Sequence, residues 1–164
     1  MENVRWSVEC GEWPTLASQR EAARHLLVRL LGAEVSIAHD PQGVPGLPER
    51  PDLNISISHC RRAVAVAISP EGRVGIDVES RRRVSDGLME RVCTAGELAA
   101  VRAAADPTMA FLQLWTRKEA VLKCRGTGIK GFGSMQSALT DGDCEVVDLE
   151  CGSLDEVAAM AVAR

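Results

Sequence analysis

Three short segments of this chain carry side chains that can do chemistry: Ser58-His59, the run Gly75-Ile76-Asp77-Val78-Glu79, and the run from Trp115 to Lys123. Among their side chains are three carboxylates, an imidazole and the ammonium of Lys123. Magnesium takes oxygen ligands and keeps phosphate oxygens in its shell. The set therefore suits a magnesium ion held against a diphosphate, and the expected chemistry is phosphoryl-group transfer.

Asp77 and Glu79 stand two apart in a strand-like run. A period of two puts both on one face and turns Ile76 and Val78 toward a core. Neighbouring carboxylates repel unless a cation lies between them; a solvated strand edge is the plainer alternative. Trp115, Glu119 and Lys123 are spaced by four and share one helix face. An ordinary Glu119–Lys123 salt bridge and a core-anchoring Trp115 are the plainer alternatives there. Packing this helix on Ile76 and Val78 would bring Glu119 toward Asp77. His59 is either a phosphate contact or a hydrogen-bonded structural residue. Ser58-His59 makes no hydrolytic triad, because neighbours on a strand point in opposite directions.

The elements that must hold these groups follow from periodicity and punctuation. Val4 to Val8 alternates as an opening strand. Ser18 with Glu21 predicts a capping box for a helix reaching Leu31 and stopped by Gly32. Ala23, Leu26, Leu27, Leu30 and Leu31 form its apolar face. From Asp40 to Pro51 the residues Pro41, Gly43, Pro45, Gly46, Pro48 and Pro51 leave no room for a helix or interior strand. That stretch is a crossing between lobes, a border of the ligand site, or a plain connector. Leu53, Ile55 and Ile57 alternate into Ser58-His59. Ala63 to Ile68 is uniformly apolar, as in a buried strand, and Pro70-Glu71-Gly72 makes a turn into a strand over Val74–Val78. These two strands are expected to form a hairpin. Thr94 and Glu97 predict a second capping box, for a helix to about Ala105. Pro107 opens a helix running from about Thr108 to Cys124, stopped by Gly126 and Gly128. Residues 144–149 and 157–162 are strand candidates. The predicted class is α+β.

Composition narrows the function further. At 164 residues, 46% of them apolar, a single domain with a full core is expected. Aromatics are only 3%, so that core rests on aliphatic residues and alanine. The net charge of -4 argues against generic binding of nucleic acid. Arg61-Arg62 and Arg81-Arg82-Arg83 bracket the acidic run, as a solvated basic surface or a rim that faces anions. The six cysteines form no C-x-x-C pair. Neither a signal segment nor an apolar run of membrane-crossing length is evident. The expectation is a reducing, cytoplasmic setting with free thiols and no membrane association.

Taken together, Asn54-Ile55-Ser56-Ile57-Ser58-His59, Gly75-Ile76-Asp77-Val78-Glu79 and Trp115 to Lys123, followed by the Gly126–Gly128 turn, resemble the 4'-phosphopantetheinyl transferase superfamily. The likeness is to its larger, single-chain subtype, which acts on carrier domains. It covers most of the chain, and the order and spacing of the motifs carry it. The resemblance implies a pseudo-twofold pair of α+β lobes, here about 1–72 and 73–164, with coenzyme A between them. It implies transfer of 4'-phosphopantetheine from coenzyme A to a serine of an apo acyl or peptidyl carrier protein, releasing 3',5'-ADP, as in a holo-acyl-carrier-protein synthase. Asp77, Glu79 and Glu119 would be the magnesium ligands, and Glu119 or a metal-bound water would receive the serine proton. Lys123 would sit on the phosphates. His59 and Ser58 would contact coenzyme A, with Arg20, Arg24 and Lys118 as further cofactor-binding positions. Relatives often carry a lysine where this chain has Val44, within Gly43-Val44-Pro45; Arg50 and Arg61 are the candidates to replace that cation. Asp77 lies behind a full helix and linker, which favours a monomer. The competing readings are a carrier- or coenzyme-binding module without turnover, and a magnesium-dependent diphosphatase that uses water in place of serine.

Overall fold

A computed structural model describes residues 3–127 and 133–164. In chain order the elements are β1 (Arg5–Cys10), α1 (Leu16–Leu31), β2 (Ala38–His39), β3 (Pro45–Gly46), β4 (Asn54–His59), β5 (Ala63–Ser69), β6 (Val74–Ser80), α2 (Asp86–Val92), α3 (Ala95–Ala103), α4 (Pro107–Arg125), β7 (Cys144–Leu149) and β8 (Glu156–Ala163). Within the proline-rich stretch from Asp40 to Pro51 the strand content is the two residues of β3, which pair with β2 just ahead of it.

The first helix starts earlier than its sequence suggests. Thr15 is the cap, accepting from the Ser18 amide at 3.1 Å, while the Ser18 hydroxyl accepts from the Thr15 amide at 3.2 Å. A serine thus takes the reciprocal role expected of a glutamate. Glu21, released from that role, pairs with Arg24 and His25. Ala23, Leu26 and Leu27 bury against Ile55 of β4 and Val64, Val66 and Ile68 of β5. Gly32 ends the helix at φ 72°, a conformation that favours glycine.

The strands form two three-stranded antiparallel sheets, ordered β1-β5-β4 and β6-β8-β7. The expected hairpin of β5 with β6 is therefore corrected: the turn at Pro70–Gly72 carries the chain from one sheet to the other. The reason lies in β5, where every residue is buried. Its valines and Ile68 face α1, and Ala63, Ala65 and Ala67 face the second sheet. Val74, Ile76 and Val78 of β6 meet those alanines, joined by Ala158, Met160 and Val162 of β8. The sheets stack through small side chains.

On the opposite face of β6 lie Gly75, Asp77 and Glu79, and against that face runs α4. A Cβ on Gly75 would come within 1.9 Å of the Ala120 carbonyl oxygen and 2.5 Å of the Cys124 amide nitrogen. Only glycine admits so close a helix. This corrects a second expectation: α4 does not pack on Ile76 and Val78, whose partner is the first sheet. It reaches the carboxylates by covering their own face. Phe111, Leu112, Val121, Leu122, Ala159 and Ala161 fill the core beneath it. Asp106 caps α4 by accepting from the Met109 amide, with Pro107 in the first turn, and Gly126 closes it at φ 73°. Gly128 lies outside the described residues.

Each half thus presents an antiparallel sheet covered by a helix, and the two sheets face each other. This is a pseudo-symmetric α+β fold. Among the described residues no helix is long and apolar enough to cross a membrane.

Candidate active site

Asp77 is the centre of the arrangement, 6% exposed on β6. Its Oδ1 accepts from the Ser58 hydroxyl at 2.8 Å and from Lys123 Nζ at 2.7 Å. Lys123 also donates to the Ile76 carbonyl at 3.1 Å, which ties α4 to β6 at the site. The other oxygen, Oδ2, is buried and has no hydrogen-bond partner among the described residues. A buried carboxylate oxygen with no donor is costly, and a hard cation is its natural complement.

Glu119 is half-buried one turn before Lys123 on α4. Burial pushes its carboxyl pKa up, the charge of Asp77 pushes it further, Lys123 pulls the other way, and Glu79 adds to the rise. So the three carboxylates share one electrostatic neighbourhood, where a cation would relieve them all. Glu79 is held by Arg82, whose Nε and Nη2 donate to its two oxygens at 3.1 and 3.2 Å. The same guanidinium lies 6.0 Å from the centre of the Trp115 ring. Among the described residues, no three His, Cys, Asp or Glu side chains are gathered closely enough to hold a metal as they stand. Lys123 and Arg82 supply the positive charge instead. The donor chemistry and the unpartnered Oδ2 nonetheless fit a magnesium ion.

His59 ends β4, with Nδ1 buried and without a hydrogen-bond partner among the described residues. Burial lowers its pKa first, and the charges of Lys123 and Arg20 lower it further. Arg20 therefore acts on the same region, as does Lys123, and an anion placed there would meet positive charge from both.

Three residues singled out in the sequence have partners within the chain. Lys118 is fully buried, donating to the Val92 carbonyl at 2.9 Å, to Glu97 at 2.7 Å and to the Gln136 carbonyl at 3.3 Å. It ties α4 to α3, with its ammonium engaged by these three acceptors. The Ser58 hydroxyl donates to Asp77 and accepts from the Val78 amide. Arg24 is bound to Glu21 and Glu34 at 2.9 and 2.7 Å, with its charge already matched. Arg50 is likewise paired, with Asp52, whereas Arg61 is exposed. Sequence reasoning missed Arg82 as a partner of Glu79. Its signal was the three-residue spacing across the end of β6, hidden in a run of arginines.

Residues 73–154, which contain Asp77, Glu79, Glu119 and Lys123, match the family described as the 4'-phosphopantetheinyl transferase superfamily. The chain is 32% identical over 133 residues to the 4'-phosphopantetheinyl transferase AcpT of Salmonella typhi, a match spanning 76% of this chain and 69% of that protein. It is 30% identical over 136 residues to AcpT of Escherichia coli, spanning 78% and 70%. With the 4'-phosphopantetheinyl transferase HetI of a Nostoc species it shares 31% identity over 131 residues, spanning 74% and 55%. The chain belongs to the 4'-phosphopantetheinyl transferase superfamily.

Proposed function

We propose that this protein transfers the 4'-phosphopantetheine moiety of coenzyme A to a serine of an apo acyl or peptidyl carrier protein, with magnesium as cofactor. The observation that carries the reading is the buried, unpartnered Oδ2 of Asp77, set beside Lys123 and sensed by Glu119. Asp77, Glu79 and Glu119 are the residues to hold the ion, which when bound neutralises charge on the diphosphate oxygens.

The chain's own groups supply the rest. His59 and Arg20 receive a phosphate of coenzyme A. Lys123 sets an ammonium against the diphosphate and stabilises the charge that gathers on the leaving oxygen. Glu119 takes the proton of the attacking serine. The serine oxygen bonds to the pantetheine-side phosphorus as that phosphorus parts from the bridging oxygen. The products are phosphopantetheinyl-serine and 3',5'-ADP. Arg61 and Arg83, both exposed, suit the approach of an acidic carrier surface.

Intact-mass spectrometry of apo-acyl and apo-peptidyl carrier proteins, incubated with coenzyme A, magnesium and this protein, tests the reading. The expected result is one phosphopantetheine added per carrier, with 3',5'-ADP released in equal amount. Coenzyme A cleaved equally well without any carrier would replace the transferase reading with a diphosphatase. No modification and no cleavage, with coenzyme A or carrier still bound, would replace it with a binding module.

A further inference from the structure

Strands β4 and β6 lie beside each other but belong to different sheets, and side chains bridge them. Ser56 Oγ accepts from the Ile76 amide at 3.0 Å, and Ser58 Oγ accepts from the Val78 amide at 3.3 Å. Both hydroxyls therefore satisfy buried amides of β6 that would otherwise be costly to leave unpaired. In this respect the two serines are equivalent. They differ in where the hydroxyl proton goes. Ser58 donates to Asp77 Oδ1 at 2.8 Å. Among the described residues Ser56 donates to no carboxylate.

The Val78 amide fills a lone pair of Ser58 Oγ and so orients its O–H. That O–H and Lys123 Nζ then both fall on the same oxygen of Asp77. Among the described residues both donors to Asp77 fall on Oδ1, and Oδ2 is buried without one. Without Ser58 the carboxylate loses one of its two anchors. Lys123, held also by the Ile76 carbonyl, is then the one remaining donor among the described residues, and the carboxylate can turn to offer it either oxygen.

We infer that Ser58 is a positioning residue: held by the Val78 amide, it fixes Asp77 through Oδ1 and thereby reserves Oδ2 for the cation. The inference rests on the proposed role of Asp77 as a magnesium ligand, and it gives Ser58 a task other than contact with coenzyme A. Groups that orient a metal ligand typically contribute about 10–100-fold to metal affinity or activity.

The test measures manganese affinity without coenzyme A, by the loss of free-ion electron paramagnetic resonance signal, together with thermal melting. The proteins are wild type, Asp77→Asn, Ser56→Ala, Ser58→Ala and Ser58→Thr. Asp77→Asn should lose manganese binding. Ser58→Ala should bind it about 10–100-fold more weakly. Ser56→Ala, which loses the matching bond to β6, should melt lower to a similar degree yet bind manganese like wild type. Ser58→Thr keeps the hydroxyl and should bind close to wild type. In turnover, Ser58→Ala should lower kcat and leave the KM for coenzyme A unchanged, whereas a coenzyme contact would raise that KM. Equal manganese affinity in Ser58→Ala and Ser56→Ala overturns the inference while leaving the metal reading intact, as does a well-folded Ser58→Thr as weak as Ser58→Ala. Wild-type manganese binding in Asp77→Asn overturns the metal reading, and the role of Ser58 falls with it.

Discussion

Lys123 meets Asp77 from the side of α4 while remaining 26% exposed, so it can face a ligand as well as its partner. Lys123→Ala should cut kcat by about 10²-fold or more, as loss of a preorganised donor does. Its effect on stability should be only about 1–3 kcal/mol, the cost of a lost charge-assisted bond. Steady-state kinetics beside a thermal melt separates the two; losses that scale together would make the pair merely structural. His59 offers a pH handle. Its folded pKa lies below the ordinary value because of burial and the nearby Lys123 and Arg20 charges. The unfolded chain therefore binds this proton first as pH falls through about 6.5. His59 contributes full stability above that value, and the contribution is lost as pH falls toward its folded pKa. Adding a phosphate should raise the folded value, so NMR titration of His59 should shift upward with coenzyme A. At this scale the sequence showed residue type and face but not whether a polar atom was already engaged. Ser58 and Lys118 each looked available, and each is consumed by partners about 20 residues or more away in sequence.

The crossing of α4 over β6 depends on Gly75. In Gly75→Ala the new Cβ meets backbone atoms of Ala120 and Cys124, which cannot rotate away. Overpacking of this kind costs about 1–3 kcal/mol or more. Helix and strand must part, drawing Glu119 and Lys123 from Asp77, so activity in the remaining folded protein should fall as well. Gly96 is the contrast: exposed in α3, with open space where its Cβ would stand. Gly96→Ala should raise stability by about 0.4–1 kcal/mol without touching turnover. The junction of α3 and α4 has its own acid sensitivity. Burial raises the Glu97 pKa, but the bonds from Lys118 and Thr94 outweigh it and leave the value below normal. Its contribution is thus present above the unfolded value of about 4.3 and lost as pH falls through the folded one. Glu97→Gln should flatten that part of a stability-against-pH curve. Helix ends were legible because Asp106-Pro107, Thr94 with Glu97, Gly32 and Gly126 act locally. Strand partners were not. The unbroken apolar run of β5 announced burial on both faces, but nothing in it said that the next strand belonged to another sheet.

Asp77 and Glu79 on β6 and Glu119 on the α4 that covers them belong to one chain, so a single copy supplies all the proposed ligands. Mixing Asp77→Ala with Glu119→Ala protein should therefore leave transfer absent. Recovered activity would mean that sites form between chains. Size-exclusion chromatography with light scattering should give the mass of one chain. The two-lobed plan was legible at this scale only through the resemblance of the motifs. Periodicity alone gave helices and strands in order, and the change of sheet after Gly72 required the alanine faces to meet in three dimensions.

The strand pairings also set an order of assembly. β1 must wait for β5, since Arg5 pairs with Ile68, and β6 must wait for β8, since Asp77 pairs with Ala159. Ladders that close such long loops form slowly. During synthesis the first sheet can close while β6 still lacks its neighbour, leaving Asp77 on an open edge. Refolding should then show early protection of amides in β4 and β5. Protection of β6 should come later, together with β8, and catalytic competence should appear with that second phase.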